Sequence, residues 1–146
     1  MSEYLYVSAP TEDATQAIQE FRQSSPHDRV MHAKSDDEAV KLLAQRGFDG
    51  IVSDWSFPAR MAPAGLALLN HVRAIAPEMP FAFLSGRASV VMRFEIEASG
   101  TTFSTDHIFQ KPALLSSVIG FLKRRYEEPG TPSRREPIRL VSKLAR

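Results

Sequence analysis

Cysteine is absent from this sequence of 146 residues, and so is any apolar run long enough to span a membrane. The first absence excludes disulfides and thiolate metal sites. The second, together with the lack of a signal-peptide pattern near Met1, predicts a cytoplasmic protein with no membrane partner. The four histidines do not have the spacing of metal ligands, so no metal site is predicted from them.

Net charge is also small, at +1, but it is unevenly distributed along the chain. Residues 131–146 hold five basic residues and one acid, a net charge of +4, so the rest of the chain carries −3. The hydrophobic content of 43% and the charged content of 24% are ordinary for a globular domain. We therefore expect one folded domain, residues 1–128, followed by an arginine-rich tail, residues 129–146.

Strand-like and helix-like patterns alternate five times along the predicted domain. Short apolar runs predict strands at residues 4–7, 29–33, 48–54, 81–84 and 107–109. Apolar residues at helical spacing follow each run, with Thr11 and Ser35 as N-caps of the first two helices and Glu38 completing a capping box. This order predicts an α/β fold: a doubly wound, five-stranded parallel sheet with two helices on one face and three on the other.

Polar residues stand where four of the predicted strands end: Ser8, Asp54, Ser85 and Lys111. The carboxyl ends of strands in an open parallel sheet meet at one edge, and ligands bind there. A carboxylate, a hydroxyl and an ammonium brought together at that edge could hold a phosphoryl group. The alternative is that Asp54 pairs with Lys111 and only stabilises the sheet.

The pattern Asp54…Ser85…Lys111-Pro112, with each polar residue at a strand end, resembles the receiver domain of two-component response regulators. The resemblance covers residues 3–126 and implies the flavodoxin-like receiver fold. It also implies that a histidine kinase phosphorylates Asp54 and that Ser85 and Lys111 are the switch residues that contact the phosphoryl group. We expect a signalling module and not an enzyme, because the only chemistry would be self-phosphorylation and dephosphorylation.

Three features depart from the receiver pattern. Ser8 and Ala9 stand where the family has an acid pair that holds Mg²⁺, so Mg²⁺ binding is doubtful and phosphoryl transfer is expected to be slow. Ile108 stands at the family's aromatic switch position. Gly65 falls late after the central strand, as if residues 59–64 held an insertion.

The arginine-rich tail does not belong to the receiver pattern, and its arginines alternate with apolar residues. Guanidinium groups bind phosphate, pair with guanine O6 and N7 and stack on bases. The tail resembles the arginine-rich segment of the CheY-like effectors of the Cle family. That resemblance implies binding of cyclic di-GMP through Arg134, Arg135 and Arg139, with docking on the flagellar motor switch. The alternative is a solvated basic terminus.

Two functions follow from these observations. The first is a signalling module for motility that binds cyclic di-GMP and docks on a partner protein, and the missing acid pair favours it. The second is a single-domain phosphorelay receiver that a histidine kinase phosphorylates at Asp54. Nucleic acid is not an expected partner, because no helix-turn-helix or similar reading module follows the domain.

Overall fold

A computed structural model describes residues 2–55, 64–86, 89–101, 103 and 107–126. No helix within these ranges is long and apolar enough to cross a membrane. Strands and helices alternate in the order β1 (Glu3–Val7), α1 (Glu12–Ser24), β2 (Arg29–Ala33), α2 (Asp36–Gln45), β3 (Gly50–Ser53), α3 (Ala64–Ile75), β4 (Phe81–Ser85), α4 (Ser89–Ser99), β5 (Ile108–Gln110) and α5 (Leu115–Tyr126).

The five strands form one parallel sheet in the order β2-β1-β3-β4-β5. The predicted doubly wound parallel sheet is therefore confirmed. The chain leaves β1 toward one edge of the sheet to build β2, and it then crosses back to place β3 on the other side of β1. This reversal creates a crevice beyond the carboxyl ends of β1 and β3, which is where ligands bind in open α/β sheets.

Two hydrophobic cores cover the two faces of the sheet, because successive side chains of a strand point to opposite faces. In β1, Leu5 and Val7 join a core with α2, α3 and α4, whereas Tyr4 and Tyr6 join a core with α1 and α5. The predicted division into three helices on one face and two on the other is confirmed.

The predicted caps are present, with one correction. Thr11 Oγ1 accepts a hydrogen bond from Ala14 N at 3.2 Å, and Ser35 Oγ accepts one from Glu38 N at 3.1 Å. The capping box is incomplete, because the Glu38 carboxylate accepts from Lys34 N at 3.4 Å and not from Ser35 N. Both helices also carry acids in their first turns, which stabilise the positive end of the helix dipole.

The last strand begins one residue later than predicted. His107 precedes β5 and is 2% exposed, and its Nε2 lies 2.7 Å from the Tyr126 hydroxyl at the end of α5. Its ring meets Phe103 and Phe121 edge-on. Local sequence did not reveal this position, because the aromatic partners come from the preceding loop and from α5.

Candidate functional site

Asp54 lies just beyond β3, in the crevice between the ends of β1 and β3. Its backbone N–H donates to Val7 O at 2.8 Å, which extends the pairing of β3 with β1 by one bond. Its Oδ1 accepts a hydrogen bond from Trp55 N at 2.7 Å. The side chain is 20% exposed, so the carboxylate is held in place but remains open to solvent.

Lys111 approaches Asp54 from the end of β5. Its backbone N–H donates to Ser85 O at 3.0 Å, and its Nζ lies 3.7 Å from Asp54 Oδ2. Ser85 is the last residue of β4, pairs with Gln110 and is 3% exposed. The structure thus places Asp54, Ser85 and Lys111 at one edge of the sheet, and we call these three residues the strand-end pocket.

The pair of Asp54 and Lys111 contributes little to stability. Both side chains are partly exposed, and pairs of this kind contribute about 0–1 kcal/mol. The pair is therefore not a major determinant of the stability of the fold.

Trp55 and α3 hold the Asp54 backbone from the side of the three-helix core. The Trp55 ring is 1% exposed and meets Phe83 edge-on at 5.2 Å between centroids. Gly65 N donates to Trp55 O at 2.9 Å, which fastens the first turn of α3 to the residue after Asp54. Ala64 is the first residue of α3 and is buried, and residues 56–63 lie outside the described part of the chain, so the predicted insertion stays a prediction.

Two residues that sequence reasoning missed lie beside the end of β1: Tyr6 of β1 and His32 of β2. His32 Nε2 donates to Ser8 O at 2.8 Å. The rings of Tyr6 and His32 stack at 5.7 Å between centroids. The two-residue period of a strand places Tyr6 on the same side as Ser8 and could have identified it. The position of His32 depends on the pairing of β1 with β2.

Tyr6 gives the site a dependence on pH. Burial raises the pKa of the Tyr6 hydroxyl, the hydrogen bond with Ser8 lowers it, and the charges of Asp54 and Asp13 raise it. The net effect is a folded-state pKa above the ordinary value of 10.0. This contribution to stability is therefore complete below that value and is lost as the pH rises through the folded-state pKa.

We expect the free energy of unfolding to fall at alkaline pH and Tyr6→Phe to remove part of that fall. Urea unfolding from about pH 8 to about pH 11 measures both slopes. The points near pH 8 serve as the internal control, because the tyrosine remains protonated there in both states. An equal alkaline fall in the two proteins would contradict the prediction.

The resemblance to receivers implies Mg²⁺, and the residues present do not suit that ion. Mg²⁺ requires an octahedral site with one or two carboxylates. Ala9 has no side-chain oxygen, and the Ser8 hydroxyl donates to Ala9 O at 3.3 Å. Glu12 and Asp13 are exposed in the first turn of α1. Among the described residues, no group of three or more histidines, aspartates and glutamates could hold a metal ion.

Two further predictions have different outcomes. Ile108, at the position where receivers have an aromatic switch residue, is the first residue of β5, pairs with Phe83 and is partly buried. Arg134, Arg135 and Arg139 lie outside the described residues. Their role in ligand binding therefore stays a prediction.

Comparison with known proteins identifies relatives of the fold only. No protein-family model and no curated protein matches the chain. The receiver domain of the Francisella response regulator 1452 has a TM-score of 0.68 and 23% identity, over 86% of this chain and 98% of that one. The Vibrio cholerae chemotaxis protein CheY4 has a TM-score of 0.66 and 23% identity, over 85% and 98%. The HemR receiver domain from Leptospira biflexa has a TM-score of 0.65 and 23% identity, over 90% and 99%. The chain therefore has the CheY-like receiver fold of response regulators.

Proposed function

We propose that this chain is a non-enzymatic, CheY-like signalling module that binds cyclic di-GMP through its arginine-rich tail and docks on a partner protein such as the flagellar motor switch. The observation that carries the proposal is the end of β1, where Ser8 and Ala9 stand in place of an acid pair. Without that pair, phosphorylation of Asp54 is expected to be slow, so a ligand is the better input.

The tail has the chemistry that a guanine dinucleotide requires. Arg134, Arg135 and Arg139 can each grip a phosphate, pair with a guanine edge or stack on a base. The segment 131–146 carries a charge of +4, which attracts a dianionic ligand. Its apolar residues are too few to form a core of their own, so binding would order the segment and could thereby change which partner is preferred.

The exposed face of α4 supports docking on a protein. Val90 and Phe94 are 55% and 70% exposed, and their spacing of four residues places them on one face of the helix. Neighbouring apolar side chains at the surface are typical of protein interaction sites. Both sites of the proposal would thus lie outside the strand-end pocket, on the tail and on α4.

Isothermal calorimetry of the full chain with cyclic di-GMP tests the proposal. We expect saturable binding that Arg139→Ala weakens about tenfold or more, since a bidentate or stacked arginine contributes about 1–3 kcal/mol. The matched control is Lys143→Ala, which removes the same charge from the same segment without removing a guanidinium, and it should weaken binding less.

Asp54→Asn should leave the affinity nearly unchanged, because the pocket is not part of the proposed binding site. Replacing Arg134, Arg135 and Arg139 together by alanine should abolish measurable binding. The proposal is wrong if the full chain does not bind the dinucleotide, or if the triple variant binds it as tightly as the unaltered chain.

A second candidate is the phosphorelay receiver, and the distance of 3.7 Å between Lys111 Nζ and Asp54 Oδ2 favours it. Lys111 lies where an ammonium could stabilise the oxygens of a phosphoryl group on Asp54. Acetyl phosphate with Mg²⁺, followed by mass spectrometry of the intact chain, distinguishes the two candidates. A phosphoryl adduct that Asp54→Asn abolishes, in a chain that does not bind cyclic di-GMP, would favour phosphorelay.

A further inference from the structure

One backbone hydrogen bond joins the end of β1 to Asp54 of the strand-end pocket. Asp54 N donates to Val7 O, so Ser8, the next residue, lies beside Asp54 at the topological switch point of the sheet. Ser8 is 3% exposed, and its own N–H donates to Ala33 O at 3.0 Å. A side chain at this position therefore has a fixed backbone and little room to turn outward.

Hydrogen bonds occupy the polar atoms of Ser8. Its hydroxyl donates to Ala9 O at 3.3 Å, and its carbonyl accepts from His32 Nε2 at 2.8 Å. Tyr6 is 1% exposed and stacked on His32, so the surroundings of Ser8 are packed in place. Ser8 and Ala9 offer a cation only neutral oxygens and no carboxylate.

The charges of the strand-end pocket also give no reason for a bound cation. Asp54 Oδ1 accepts from Trp55 N at 2.7 Å, and Oδ2 faces Lys111 Nζ at 3.7 Å. One carboxylate thus faces one ammonium, and the pair is neutral. Two more carboxylates at positions 8 and 9 would give this pocket a net charge of −2, which a divalent cation would offset. Ser8 and Ala9 carry no charge, so the pocket has no excess negative charge for a cation to offset.

We infer that the strand-end pocket is a metal-free pocket: Ser8, which is buried, and Ala9 supply no carboxylate for a divalent cation, and Lys111 is the counter-cation of Asp54. This inference is independent of the tail and of cyclic di-GMP. It predicts that two substitutions at the end of β1 create a cation site with Asp54, and that charge rather than side-chain size is what the unaltered chain lacks there.

Trp55 is the only tryptophan of the chain and is bonded to Asp54 through its backbone, so its fluorescence reports on this pocket. We expect titration of the full chain with Mg²⁺ to give no saturable change in the millimolar range. Ser8→Asp combined with Ala9→Asp should introduce a saturable change and tighten Mg²⁺ binding by at least about a hundredfold, since even outer partners of metal ligands change affinity 10- to 100-fold. The matched control is Ser8→Asn with Ala9→Asn, which adds similar volume without charge and should bind no Mg²⁺.

Circular dichroism establishes that each variant is folded. If the double aspartate variant does not fold, Ser8→Asp combined with Tyr6→Phe makes the same test with less crowding at the end of β1. A saturable Mg²⁺ transition in the unaltered chain that Asp54→Asn abolishes would overturn the inference. A folded aspartate variant that does not bind Mg²⁺ would overturn it as well. Failure of cyclic di-GMP to bind leaves both results unaffected, so the two proposals can fail separately.

Discussion

Replacing Gly65 by alanine is expected to lower the free energy of unfolding by about 3 kcal/mol, although the change adds only one methyl group. A Cβ at this position would overlap Asp54 O and would lie 2.8 Å from Trp55 O and 3.0 Å from Trp55 Cα. All three are backbone atoms of the segment that follows β3, so neither a rotamer change nor a small side-chain movement relieves the overlap. The first turn of α3 or the Asp54 backbone must move.

Gly86→Ala is the control for this prediction, because Gly86 also borders the strand-end pocket and a Cβ there would meet no atom within 4 Å. Urea denaturation of both variants measures the difference, and we expect Gly86→Ala to stay within about 0.5 kcal/mol of the unaltered chain. Gly65→Ala should also shift the fluorescence of Trp55. Equal stability of the two variants would show that α3 tolerates the displacement and that Gly65 does not hold the site.

Phe83→Ala should have the largest effect of all, a loss of about 3–5 kcal/mol of unfolding free energy. Phe83 lies in the middle of β4 and is fully buried. Its ring meets Trp55 at 5.2 Å, Phe81 at 5.2 Å and Phe103 at 5.4 Å between centroids, all edge-on. Truncation leaves a cavity beneath Trp55, so the residue after Asp54 loses its support along with the core.

Phe94→Ala is the matched control, because it makes the same substitution at a phenylalanine that is 70% exposed on α4. We expect its stability to change by no more than about 0.5 kcal/mol. Thermal unfolding and urea denaturation of the two variants compare a buried ring with an exposed one in the same chain. If Phe94→Ala were as destabilising as Phe83→Ala, the α4 face would be a core surface and could not serve as the docking face proposed above.

The periodicities of the sequence predicted most of the fold because they depend on neighbouring residues. The strand Arg29–Ala33 lies where predicted, and the caps Thr11 and Ser35 hold their helices as expected. Boundaries failed where distant partners decide them. His107 packs against Phe121 and Tyr126, and the pairing of β5 with β4 begins at Ile108, one residue later than predicted.

Part of the candidate site could also be predicted, because the ends of strands follow from local sequence patterns. Strand ends can be located from turn residues and apolar runs, so Asp54, Ser85 and Lys111 could be assigned to one edge of the sheet before any distance was known. The stacking of Tyr6 on His32 involves a neighbouring strand, and no local pattern specifies it. Gly65 was missed as a contact of Asp54 because residues 56–63 separate the two along the chain.

The sequence by itself determined the alternation of strands and helices, the parallel sheet and the type of residue at each strand end, since hydrophobic burial at period 2 or period 3.6 is a property of short segments. Only the tertiary structure decided that Lys111 faces Asp54, that His32 binds Ser8 O and that α3 packs on the Asp54 backbone. These contacts depend on the strand order β2-β1-β3-β4-β5 and on the packing of helices across it, which bring together residues that are far apart in the chain.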